Sequence, residues 1–158
     1  MNTLKAEKRS MDVKAKRLRR EGYVTGNVFG KKIQGSIPVK MEKKDVDRLL
    51  KTETKGGQIM LDVEGEVYDV LIKEVDYDAM ANQVVEIDFQ ALVSNEKVHS
   101  VAEIIFENHD KVEAGVLQEV LKEVSYRALP AALVEKVKVD VGEMEIGDTF
   151  APFDFFGL

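Results

Sequence analysis

Apolar and polar residues alternate with a period of two along most of the chain, and the breaks in that alternation mark turns and helices. Ile59, Leu61 and Val63 alternate with Met60 and Asp62, Glu64-Gly65 supplies a hairpin turn, and residues 67–75 return as the partner strand. Over residues 84–93, Val85, Ile87, Phe89, Ala91 and Val93 predict one face, and Glu86, Asp88 and Gln90 the other. Nearer the start, Gly26 and Gly30 punctuate one short strand beginning at Tyr23, and Ile33, Ile37 and Val39 mark another. Two stretches switch to helical spacing. Met11, Ala15 and Leu18 form a thin apolar stripe over Met11–Glu21, with Ser10 as N-cap, Asp12 in the first turn and Gly22 as the stop. Val46, Leu49 and Leu50 predict a second helix over residues 44–52, closed by Gly56 and Gly57.

Ser94, Asn95, Glu96 and Lys97 form a polar joint, which predicts two domains, residues 1–93 and 94–158. Beyond it, Ala102, Ile104 and Phe106 alternate as a strand, and Asn108, His109 and Asp110 predict a turn. Residues 114–126 combine helical spacing with heavy β-branching and fit a helix or the start of a strand. Pro130 interrupts what precedes it, Val137, Val139 and Val141 mark a strand, and Glu145–Asp148 a turn. The chain closes on Phe150, Phe153, Phe155, Phe156 and Leu158. The expected class is mainly β (α+β), with short helices. Neither an internal repeat nor a low-complexity segment interrupts it.

Composition narrows the chemistry. With no cysteine in 158 residues there is no thiol nucleophile, disulfide or thiolate-bound metal in this sequence. No apolar run approaches the roughly 18 residues of a membrane span, and the first twenty residues lack the apolar core of a secretory signal. A cytoplasmic protein without a membrane partner is the expectation. The net charge of −6 conceals a strong asymmetry. Residues 1–55 carry 16 Lys and Arg against 7 Asp and Glu, net +9, which leaves −15 for the remainder. That distribution points to a polyanion partner for the first segment, or to two halves that neutralise each other.

Enzyme signatures are wanting. Gly30 and Gly35 have the spacing of a phosphate-binding loop, but Ser36 stands where its Lys must be. His99 and His109 have no metal-binding neighbours in sequence, and Asp76 and Asp78 lack the glycine and glutamate of a calcium loop. No catalytic group, metal, cofactor or small-molecule substrate is expected.

What remains is a dense cationic run. Lys14, Lys16, Arg17, Arg19 and Arg20 place five cations in seven residues, with Lys8 and Arg9 just upstream. Each phosphate such a cluster neutralises releases condensed counterions, which gives affinity with little sequence preference. Discrimination requires base-edge donors or stackable rings held rigidly beside it, and the strands after Gly22 could supply that platform. A solvated helix face is the plainer reading of the same residues.

In order, Ala6-Glu7-Lys8-Arg9, Lys16-Arg17-Leu18-Arg19-Arg20-Glu21-Gly22 and Val28-Phe29-Gly30 resemble the opening of the bacterial large-subunit ribosomal protein twenty-five and general stress protein Ctc family. Ile72-Lys73-Glu74-Val75 and Glu86-Ile87-Asp88-Phe89 are similar to its KEVQ and HIDF segments. Gly115-Val116-Leu117, Leu129-Pro130, Val139-Asp140-Val141 and Ile146-Gly147-Asp148 are similar to the second domain of its longer members. The resemblance implies a six-stranded N-terminal β-barrel that binds 5S ribosomal RNA within the large ribosomal subunit, with a second β-rich domain behind it. Carried over by position, it implies RNA contacts from Arg9, Lys14, Lys16, Arg17, Arg19 and Arg20, and from Phe29, Lys73, Glu86 and Asp88.

This sequence departs from the family pattern at four of those segments' positions. Phe29 replaces a Tyr, Thr25 a Pro, Asp76 a Gln and Glu86 a His. The last two add negative charge where phosphate is expected, which costs affinity unless an Arg pairs with it. A second reading therefore stands beside the first, a divergent stress-related paralogue that keeps the fold, has lost specific RNA binding and acts as a protein-interaction module. The second domain also reads as shorter than in the long members, and the apolar tail could cover an exposed edge or pair two copies as a homodimer.

Overall fold

The computed structural model describes residues 2–107, 122–140 and 142. Strands dominate it. In chain order they are β1 (Thr3–Lys8), β2 (Tyr23–Phe29), β3 (Ser36–Glu42), β4 (Gln58–Val63), β5 (Glu66–Asp78), β6 (Gln83–Ala91), β7 (Val98–Glu107), β8 (Glu123–Ala128) and β9 (Lys136–Asp140). Helix α1 (Ala15–Arg20) lies between β1 and β2, and α2 (Lys43–Leu49) between β3 and β4. The first six strands close into a barrel in the order β1-β3-β2-β6-β5-β4, and the last three form a sheet in the order β8-β7-β9.

Alternation sets the barrel's inside. Leu4, Val24, Val28, Val39, Met41, Ile59, Leu61, Ile72, Ile87 and Phe89 turn inward and are essentially inaccessible to water. Each such side chain contributes roughly 1.5–3 kcal/mol relative to exposure. Val46 and Leu49 of α2 close one end of the same core. At Gly26 the parallel partners β2 and β6 approach so closely that a Cβ would run into the Ile87 carbonyl.

Strand β1 is not foreshadowed by the alternation. Only Leu4 and Ala6 face inward, between Lys5, Glu7 and Lys8, too short a pattern to stand out in a cationic run. It nonetheless closes the barrel, pairing antiparallel with β3 and parallel with β4. The first helix begins at Ala15 rather than Met11, because Ser10 caps a turn instead. Its carbonyl accepts from the Val13 amide at 3.2 Å and its hydroxyl from the Asp12 amide at 3.3 Å. Gly22, at φ +93°, ends α1 as expected. Helix α2 starts one residue earlier than predicted and ends at Leu49, before Thr52 and Glu53 turn their amides back onto the Leu49 carbonyl. Of the ambiguous stretch 114–126, residues from Glu123 onward are strand β8. Residues 114–121 of that stretch, the turns around His109 and at Glu145–Asp148, and the Phe-rich tail lie outside the described residues.

The barrel's last strand stops at Ala91 and the second sheet begins at Val98. Leu71, Leu92 and Val98, with Leu133 against them, form an apolar seam there. Glu135 reinforces it by accepting a 2.7 Å hydrogen bond from the Thr54 amide. The glycines of the rejected phosphate-binding loop connect β2 to β3, and the segment leads into a strand rather than a helix.

Candidate nucleic-acid interface

Helix α1 lies against β2 through buried Leu18, and Lys14, Lys16, Arg17 and Arg20 project into solvent. Arg17 makes an exposed i, i+4 pair with Glu21 at 3.1 Å, which leaves most of its charge available. Arg19 behaves differently. It turns back onto the barrel, where Nε donates to the Val85 carbonyl at 3.2 Å and Nη2 to Thr25 Oγ1 at 3.2 Å. The same Nη2 stands 4.0 Å from Glu86 Oε2. Arg19 thus fastens α1 to β6 instead of presenting a free fork.

The strand register builds the surface beside α1. Thr25 on β2 lies opposite Glu86 on β6, which lies opposite Asp76 on β5. One step along, Asn27, Asp88 and Glu74 form the next row. Phe29 follows, half-buried and opposite Gln90 and Ser36. Arg9 extends β1 over this face, its amide donating to the Pro38 carbonyl at 2.9 Å and its Nη2 to Val13 O at 3.4 Å.

Two polar atoms on this face lack partners. Among the described residues, the buried side-chain nitrogens and oxygens without a hydrogen bond are Arg9 Nε, Asp88 Oδ1 and Ser100 Oγ. The first is a donor and the second an acceptor, and both belong to side chains close enough to Glu86 to act on its charge. Burial, Asp88 and Asp76 push the Glu86 carboxyl above its ordinary range, and Arg19 and Arg9 pull against them. The face is therefore a carboxylate centre with a guanidinium rim.

Lys73 is placed elsewhere. A register shift in β5 between Ile72 and Glu74 leaves it out of the ladder, and its ammonium donates to the His99 carbonyl of β7 at 2.8 Å. It is held at the seam with the second sheet. Asn27, which the sequence reading passed over, occupies the row of Asp88; its signal was present as an outward polar position between Val24 and Val28. No group of three or more His, Asp or Glu among the described residues is arranged to hold a metal ion.

Comparison with known proteins matches this architecture in two parts. Residues 4–89 match the Ribosomal L25p family, and residues 97–154 match the family described as ribosomal protein TL5, C-terminal domain. The chain is 29% identical over 137 residues to the large ribosomal subunit protein bL25 of Thermoanaerobacter sp. (strain X514), covering 85% of this chain and 68% of that protein. It is 30% identical to bL25 of Caldanaerobacter subterraneus subsp. tengcongensis, over 93% of this chain and 75% of the relative. Identity with bL25 of Bacillus pumilus (strain SAFR-032) is 31%, over 98% and 76% respectively. A closed six-stranded barrel, a second sheet and a match over the barrel's own length lead to one assignment: the chain belongs to the Ribosomal L25p family, whose members are ribosomal proteins and not enzymes.

Proposed function

We propose that this protein is a component of the large ribosomal subunit, working in the cytoplasm, that binds 5S ribosomal RNA through α1 and the outward face of β2, β5 and β6. The observation that carries this reading is the pair of unpartnered buried atoms, Arg9 Nε and Asp88 Oδ1, beside a helix that together with its N-cap Lys14 presents four exposed cations. A buried polar atom without a partner costs about 1–3 kcal/mol, and a ligand that supplies the partner recovers it. A nucleic acid offers both kinds, phosphate and carbonyl acceptors for Arg9 and base amino donors for Asp88. Lys14, Lys16, Arg17 and Arg20 supply sequence-independent attraction, and Phe29 a ring on which an unstacked base can lie. Glu86 would oppose phosphate, but Arg19 offsets part of its charge, and its raised pKa makes the neutral carboxyl more accessible.

The test is the affinity of the full chain for a 5S internal-loop fragment and for a scrambled duplex across a salt series. Preference for the fragment that persists at physiological salt supports the proposal. Equal, steeply salt-dependent binding to both would leave a basic patch without recognition. That outcome favours a protein-interaction role, consistent with the carboxylates of Asp76, Glu86 and Asp88 on one face.

A further inference from the structure

One outward row of the barrel runs from Pro38 on β3 through Asn27 on β2 and Asp88 on β6 to Glu74 on β5. Its side chains have few ways to satisfy one another. Pro38 has no polar side-chain group, and Glu74 carries the same charge as Asp88 and is engaged by Lys55 at 3.2 Å. Only the Asn27 amide can donate to the Asp88 carboxylate, and that bond is not made. Among the described residues, neither the Asn27 nor the Asp88 side chain has a hydrogen-bond partner.

Accessibility separates the atoms of this pair. Asp88 Oδ1 is buried, whereas Asp88 Oδ2 and both polar atoms of Asn27 are open to water. The pair therefore presents two acceptors, Asn27 Oδ1 and Asp88 Oδ2, and one donor, Asn27 Nδ2. Both strands are paired on each flank, which holds the presenting backbone rigid.

Adjacent strands lie about 4.8 Å apart. A primary amino group on a planar ring bonds two acceptors about 5 Å apart, because its hydrogens diverge by about 120° and each acceptor sits about 2.9 Å away. On adenine, cytosine and guanine that amino group neighbours a ring nitrogen acceptor, which suits Asn27 Nδ2. Uracil would turn a carbonyl oxygen toward Asp88 with no hydrogen between them. Phe29, two residues along β2 on the same face, offers a ring against which a base plane can rest.

We propose that Asn27 and Asp88 together hold one exocyclic amino group of an RNA base, and that Asn27 sets the preference for amino-bearing bases over uracil. This rests on the RNA binding proposed above and names the atoms that are read.

The full chain is titrated with the 5S internal-loop fragment and with copies lacking one amino group at a time. Inosine replaces guanosine, purine riboside adenosine, and pyrimidin-2-one riboside cytidine. One copy should bind the parent about tenfold more weakly, and its identity names the base. Asn27→Ala should weaken binding of the unmodified fragment by about fivefold at an unchanged salt slope, since no charge is lost. In that variant the same deletion should cost less than in the parent, because both changes remove one shared interaction. Asn27→Thr, which favours a strand and has no amide, should behave like Asn27→Ala and guards against a folding defect, with thermal unfolding as the check on both. If the parent prefers the fragment to the scrambled duplex while the Asn27 variants bind it equally well, this assignment falls and the RNA reading stands. Amino deletions that weaken parent and variants by the same factor have the same consequence. Equal binding of fragment and duplex by the parent overturns both.

Discussion

The side chains of Glu53, just before β4, and Glu135, just before β9, hydrogen-bond to each other across the seam. Asn2 Nδ2 donates to Glu53 at 2.9 Å and the Thr54 amide to Glu135 at 2.7 Å, so both carboxyls are fixed in place. Such a bond requires a proton. Burial and the neighbouring carboxyl accordingly raise the Glu53 pKa above 4.5. The folded state then holds this proton more tightly than the unfolded chain does. Its stabilisation is complete below the unfolded value and is lost as pH rises through the raised folded value. Glu53→Gln supplies a permanent donor. Urea denaturation across that window should show a pH-dependent loss of stability in the parent that is flattened in the variant, with the variant the more stable at neutral pH.

Arg17→Ala with Arg20→Ala removes two exposed cations from α1. The salt slope of RNA binding should fall by about 1.5 while stability changes by no more than about 0.5 kcal/mol each. An unchanged slope, measured by the same salt series, would remove α1 from the interface.

Arg19→Ala should act on folding instead. It abandons the Val85 carbonyl and Thr25 and frees Glu86 from its nearest cation. A loss of about 1.5–3 kcal/mol in denaturant unfolding is expected, the scale of a hydrogen bond to a charged group. Retention of full stability would mean that α1 is held by Leu18 alone.

Burial and the neighbouring Asp88 raise the Glu86 pKa, so RNA affinity should rise as pH falls through that raised value and the carboxylate takes up its proton. Glu86→Gln should bind more tightly at neutral pH and lose that pH dependence. The contrast between parent and variant, measured at fixed salt, isolates Glu86 from the other carboxylates. A variant no tighter than the parent would place Glu86 off the RNA path.

Much of the barrel was legible because its strands obey a simple alternation. Ile87 to Ala91 and Ile59 to Val63 announce their faces from spacing alone, and the Glu64-Gly65 turn joins β4 to β5. The expected face fails at its ends, where a register shift puts Val84 instead of Val85 against the core and Val93 lies past the end of β6. β1 was not legible, since its pairing is made with residues more than thirty positions away and only two apolar side chains mark it. The cationic run could be read as a cluster, but not the division of labour inside it. Arg17 and Arg19 are two positions apart on a helix and point to different surroundings, one to water and one to β6. Lys73 left the face assigned to it because of a register shift, which no local pattern encodes.

The parallel pairing of β2 with β6 joins residues around Gly26 to residues around Ile87. A ribosome making this chain therefore exposes Lys14 to Arg20 long before the strand that carries Glu86 and Asp88 exists. In that interval the nascent segment is a polycation with no surface to discriminate with, able to adhere to any nearby phosphate. If the β2–β6 face reads RNA as proposed, its selectivity arrives late in synthesis, when β6 docks beside β2, together with the closure of the barrel.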